Sequence, residues 1–133
     1  MDKMIYANIK GEKRPLNYSI AVMFEVLERY GNINAALNII AADGPESFEA
    51  VRWLAVCMAN DAELCRREEG YDAEPMLKEE ELTLRMRPTD FNELRDAVVE
   101  AITLGYTREI VYEEAEVDLG LAELNAKKET AGA

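Results

Sequence analysis

Cys57 and Cys65 are the only thiols in this sequence, and it contains no histidine. Nucleophilic catalysis by a serine or cysteine needs a base to take its proton, and histidine is the commonest such base. If both cysteines sit on one helix, a rise of about 1.5 Å per residue places them roughly 12 Å apart, too far for a mutual disulfide. With no CxxC pair and no histidine, the usual zinc ligand set is missing as well. The expectation is that both thiols are small core residues in a reducing compartment. Carboxylates are the remaining candidates for acid–base work, and there are 27 of them. They scatter along helix surfaces, however, with no glycine-rich phosphate loop beside them. The sequence therefore predicts no catalytic, cofactor-binding or metal-ligating residues, and a protein that acts by binding other proteins.

With 133 residues and 49% apolar content, the chain can close one hydrophobic core but not comfortably two. It has no run of 18 or more apolar residues, and Asp2 and Lys3 precede only a short apolar stretch. Neither a membrane span nor a secretory signal is expected, which points to a soluble protein of the cytoplasm. The net charge of −12 is unevenly spread. Residues 1–20 carry a net positive charge, and every later segment, including residues 109–133, is acidic. Nucleic acid and anionic membrane would be repelled by most of such a surface. A basic or apolar protein partner fits it better.

The elements that must position a binding surface start with a β-hairpin over residues 4–16. The β-favouring run Met4-Ile5-Tyr6-Ala7-Asn8-Ile9 turns near Gly11, and Pro15 confines the second strand to an edge. A short basic hairpin beside an acidic body predicts self-association through residues 4–16, against which a proline-blunted, monomeric edge competes. Ser19 is the expected N-cap of a helix running to about Tyr30, with Ile20, Met23, Phe24 and Leu27 on one face and Gly31 as the stop. A short helix is expected after Asn34. Asp43-Gly44-Pro45 then launches the longest helix, from about Glu46 to Glu69, ended by Gly70. Its polar stripe of Glu49, Arg52, Asn60, Glu63 and Arg67 is narrow. It is therefore predicted to be central, with Trp53 and Cys57 largely buried.

Tyr71 to Lys78 reads as a loop, and Glu79-Glu80-Glu81 as the acidic start of a short helix stopped by Arg87-Pro88. Thr89 or Asp90 is expected to cap an amphipathic helix to Leu104, with Glu93 in the capping-box position and Gly105 as its end. Its apolar face is Phe91, Leu94, Val98, Ala101 and Ile102. The fold class is thus mainly α, a short N-terminal hairpin followed by a bundle of about four to five helices, forming a single domain over residues 1–108. Residues 109–133 form an acidic C-terminal helix or tail, partly disordered, that either frays or firms up on a partner.

This order of elements resembles a known family. The hairpin sequence Ile9-Lys10-Gly11-Glu12-Lys13-Arg14-Pro15-Leu16-Asn17-Tyr18-Ser19, leading into a helix that ends Glu28-Arg29-Tyr30-Gly31, resembles the opening of tail assembly chaperones of long-tailed bacteriophages and prophages. The stretch from Glu79-Glu80-Glu81-Leu82 to Arg87-Pro88-Thr89-Asp90-Phe91, with Ala97-Val98-Val99-Glu100-Ala101-Ile102 and Gly105, is similar to their second half. The resemblance covers roughly residues 4–108 and implies a non-structural assembly factor in the bacterial host cytoplasm. Such a factor binds the tape measure protein, keeps its long apolar helices soluble and helps recruit tail tube protein. Two other classes stay open. One is a structural virion component, such as a connector or tail completion protein. The other is an acidic inhibitor that mimics nucleic acid, against which the Arg and Lys interleaved with the acids count.

Overall fold

In the computed structural model, residues 4–107 are described. The chain divides into two compact units, Met1–Ile102 and Thr103–Ala133. The first begins with strands β1 (Ile5–Ile9) and β2 (Glu12–Leu16), paired antiparallel with Ile9 opposite Glu12 and Ile5 opposite Leu16. Lys10 and Gly11 form the two-residue turn, both at positive φ (57° and 80°). A turn of this hand matches the twist of the strands, and glycine occupies it without steric cost. Ala7, Ile9 and Leu16 point into the core, while Tyr6 and Asn8 face solvent, the period of two that a half-covered hairpin requires.

Four helices follow: α1 (Ile20–Tyr30), α2 (Ile33–Ala41), α3 (Pro45–Glu68) and α4 (Glu79–Arg85). A fifth, α5, covers residues 88–107. The protein is mainly α, a short hairpin followed by a helical bundle. α1 starts where expected, since the Ser19 side chain accepts a hydrogen bond from the Val22 N–H. It stops at Gly31, whose φ of 94° suits glycine and whose N–H donates to the Leu27 carbonyl. α2 starts earlier than expected. Asn32, not Asn34, is its cap, accepting from the Ala35 N–H at 2.7 Å.

α3 is uninterrupted, with Pro45 at its first turn, where a missing N–H costs nothing. Leu54, Ala55, Met58 and Val51 are fully buried on it, and the hairpin, α1, α2 and α4 all pack against it. The backbone N–H of Asn17 donates to the Met58 carbonyl at 3.1 Å, tying the end of the hairpin to the middle of this helix. The buried hydroxyl of Ser47 donates to the Ile40 carbonyl at 2.7 Å and closes the α2–α3 corner. From α5, Leu94, Ala97, Val98, Ala101 and Ile102 enter the same core.

Two expectations for α5 are corrected. The Arg87 carbonyl accepts the first helical hydrogen bonds, from the Asp90 and Phe91 N–H groups, so the cap is Arg87 rather than Thr89 or Asp90. Pro88 fits the first helical position because its φ is preset and it has no N–H to leave unpaired. Gly105 does not end the helix, which is still helical at residue 107. In the second unit the described residues, 103–107, are helical, and the acidic segment 109–133 lies outside the described residues.

Candidate functional site

The side chains of α1 do not sit where its apolar pattern suggests. Val22 and Val26 are the buried pair. The larger residues Ile20, Phe24 and Leu27 face outward, 60%, 59% and 38% exposed, with Met23 half-buried at their edge. Positions i, i+4 and i+7 fall on one face of a helix, so these three form a continuous apolar stripe about 10 Å long. A stripe of this kind at solvent marks a contact surface more often than scattered single apolar residues do.

Beside the stripe, Glu25 and Glu28 are both exposed on α1. Glu25 leans toward α3, where it accepts a hydrogen bond from the Cys57 thiol at 3.4 Å. Asp61, one turn further along α3, accepts from the Asn17 side-chain amide at 2.7 Å, just before α1 begins. Leu64, also exposed, follows on that same edge of α3. Arg29 is the cation of α1, and it is engaged: its guanidinium carbon lies 4.5 Å from the centroid of the Trp53 ring, which in turn meets Tyr30 edge-on. Stacking on an indole face holds the guanidinium against α3 rather than over the stripe.

The thiols show no sign of activation. Burial, reinforced by the neighbouring Glu25 carboxylate, pushes Cys57 up to about 12. A nucleophilic cysteine needs the opposite shift. Cys57 is half-buried and Cys65 is exposed, so the expectation that both are core residues fails for Cys65. Burial also raises the Cys65 thiol, together with Asp61, Glu68 and Glu69 nearby. Trp53, expected to be largely buried, packs against the core but is only partly covered.

Four residues of the narrow polar stripe of α3, Arg52, Asn60, Glu63 and Arg67, form an internal clamp, while Glu49 stays exposed. Arg52 pairs with Glu79 of α4 at 3.1 Å and donates to Thr83. The Asn60 side chain exchanges two hydrogen bonds with the Leu77 backbone, at 2.8 and 3.1 Å. Glu63, only 3% exposed, accepts from Arg66, Arg67 and the Glu74 N–H at 2.7 to 2.9 Å. Those bonds hold the Glu63 carboxyl at about 2, with the Glu74 N–H as the largest cause. The clamp fastens the extended segment 71–78 along α3. Its side chains are spent on the fold, whereas the α1 stripe places three exposed apolar side chains on one helix face.

Among the described residues no group of three or more His, Cys, Asp or Glu side chains could hold a metal ion, and no helix is long and apolar enough to cross a membrane. No protein-family model, curated protein or solved structure matches the chain.

Proposed function

We propose that this chain is a tail assembly chaperone of a long-tailed bacteriophage or prophage. It acts in the host cytoplasm by binding helical segments of the tape measure protein and aiding tail tube assembly. The observation that carries the reading is the outward-facing stripe Ile20, Phe24 and Leu27 on a helix whose core face is already satisfied by Val22 and Val26. A protein that keeps long apolar helices in solution needs an apolar strip to receive them and a charged exterior to keep the complex dispersed. The net charge of −12 supplies the second. The resemblance of the sequence over roughly residues 4–108 to these chaperones supports the same reading.

The test is co-expression of the tape measure protein from the same phage or prophage, alone and with this chain. The expected result is that the long protein becomes soluble with the chain and the two co-purify. Equal insoluble fractions in both cases, with no complex recovered at low salt, would remove the chaperone reading.

A further inference from the structure

The hairpin has one edge that the fold closes and one that it leaves open. We infer that the open edge, β1, pairs antiparallel with β1 of a second copy of this chain about a two-fold axis, joining the two hairpins into one continuous sheet. This pairing needs neither the α1 stripe nor the tape measure protein.

Backbone geometry decides which edge is open. Ile9 and Glu12 flank the two-residue turn and exchange ladder hydrogen bonds, and the alternation of an antiparallel pair gives the same arrangement to Ala7 with Arg14 and to Ile5 with Leu16. Tyr6 with Pro15 and Asn8 with Lys13 are the intervening pairs, whose backbone N–H and C=O groups point away from the neighbouring strand. Pro15 fits such a position because it has no N–H to offer. Its edge is closed in other ways too. β2 packs on α3, and the Arg14 guanidinium donates to the Pro75 carbonyl at 3.3 Å. β1 has none of this protection. From Met4 to Ile9 there is no proline, no charged side chain and no bulge in the register, the devices that usually blunt an edge. Among the described residues, the outward N–H and C=O groups of Tyr6 and Asn8 meet no hydrogen-bonding partner.

Charge and register point to a second copy as the occupant. A chain of net charge −12 repels its own copies over most of its surface. The run Met4-Ile5-Tyr6-Ala7-Asn8-Ile9 is uncharged, so two copies meet there without setting acid against acid. A two-fold axis at Ala7 puts Tyr6 opposite Asn8 of the second copy and Asn8 opposite its Tyr6. Every outward group of one strand then meets its complement on the other. The same register keeps the faces in phase, with Ile5 opposite Ile9 on the core side and Tyr6 opposite Asn8 on the solvent side. The two Tyr6 rings, each 54% exposed, become diagonal neighbours, a separation that aromatic side chains span. Met4, 37% exposed, falls opposite Lys10 rather than an acid. One short strand on each side makes an interface smaller than the roughly 1,200 Å² of a stable complex, so the dimer is weak and forms with concentration.

Sedimentation equilibrium of the full chain from about 5 to about 500 µM, the range that suits so small an interface, should show monomer giving way to dimer. Amide exchange followed by NMR locates the contact. The Ala7 and Ile9 N–H groups should be protected by β2 at every concentration, whereas those of Tyr6 and Asn8 should exchange freely in the monomer and slow by at least about tenfold in the dimer. Tyr6→Lys, at an exposed position, sets like charges against each other across the axis and should raise the dimer Kd by at least about tenfold. Tyr6→Pro removes an outward N–H, as Pro15 does opposite it, and should do the same while Ala7 and Ile9 stay protected. Because the copies repel at a distance, the dimer should tighten as salt rises from about 0.05 to about 0.5 M. A chain still monomeric at the highest concentration, a dimer whose Tyr6 and Asn8 amides stay unprotected, or one indifferent to Tyr6→Lys overturns the inference. So does protection of these two amides in the monomer, since the edge is then covered within the chain, and so does a dimer that salt dissolves, since ion pairs elsewhere then hold it.

Discussion

Among the described residues Glu63 and Ser47 are polar side chains buried in the fold, and each is satisfied in its own way. Ser47 spends one hydroxyl on one carbonyl. Glu63 collects two guanidinium groups and a backbone N–H, so that a carboxylate only 3% exposed remains charged. Removing a buried charge's partners is costly, and neutralising the charge leaves its partners unpaired in the same way. The Glu63 carboxyl sits at about 2 in the fold against its usual 4.5. Its contribution to stability is therefore complete above about pH 4.5 and is lost as pH falls toward 2. Glu63→Gln should lower the melting temperature by several degrees at pH 7, with the gap to wild type closing as melts are repeated from pH 4.5 downward. A gap that stays constant over that range would mean that shape rather than charge holds residues 71–78. The sequence gives no direct sign of this role. Glu63 lies on the same helical face as Arg52, Asn60 and Arg67, which looks like an ordinary solvated stripe until Glu74 and Leu77, 11 and 17 residues away from their partners, are seen to fold back onto it.

At the scale of elements, local signals with a single chemical answer were legible. Ser19 before an apolar run, Gly31 after Tyr30, Lys10-Gly11 between two β-favouring runs and Pro45 after Gly44 each satisfy a specific backbone need at their position. The direction in which α1 faces was not legible. Ile20, Ala21, Val22, Met23, Phe24, Val26 and Leu27 surround the helix with apolar side chains, so periodicity alone selects no unique inner face. Packing resolves it in favour of the two valines, and the larger residues are left outside. The start of α5 was misread for a related reason. Asp90 and Glu93 stand at the right spacing for a capping box, but Pro88 takes the first helical position and shifts the cap to Arg87. The Asp90 carboxylate then reaches back to accept from the Arg87 N–H at 2.9 Å. This assignment predicts that Asp90→Ala costs about 1 kcal/mol, while Glu93→Ala, at an exposed position, stays within about 0.5 kcal/mol. Chemical denaturation of the two variants decides between the caps. If Glu93→Ala is the more destabilising, the helix starts at Asp90 after all.

For the whole molecule, the size of the exposed stripe decides what kind of binding to expect. Stable interfaces bury about 1,200–2,000 Å² in total, and one aromatic with two aliphatic side chains on an 11-residue helix supplies on the order of a few hundred. A single chain on a single segment should therefore bind weakly and exchange quickly. A long client with many repeated apolar segments can still be covered, because many weak contacts along one chain add up. On the proposed chaperone reading, the net charge of −12 would keep a client covered in this way dispersed. A structural virion component would instead bury its contact surface for the life of the particle, which this stripe is too small to secure by itself. The prediction is that the chain is abundant in lysates of cells assembling tails and absent from purified tails and particles. Quantitative mass spectrometry of both fractions measures this directly. Recovery of the chain from washed particles at a fixed ratio to the tail tube protein would replace the chaperone reading with that of a connector or tail completion protein, whose further contacts would have to come from outside α1.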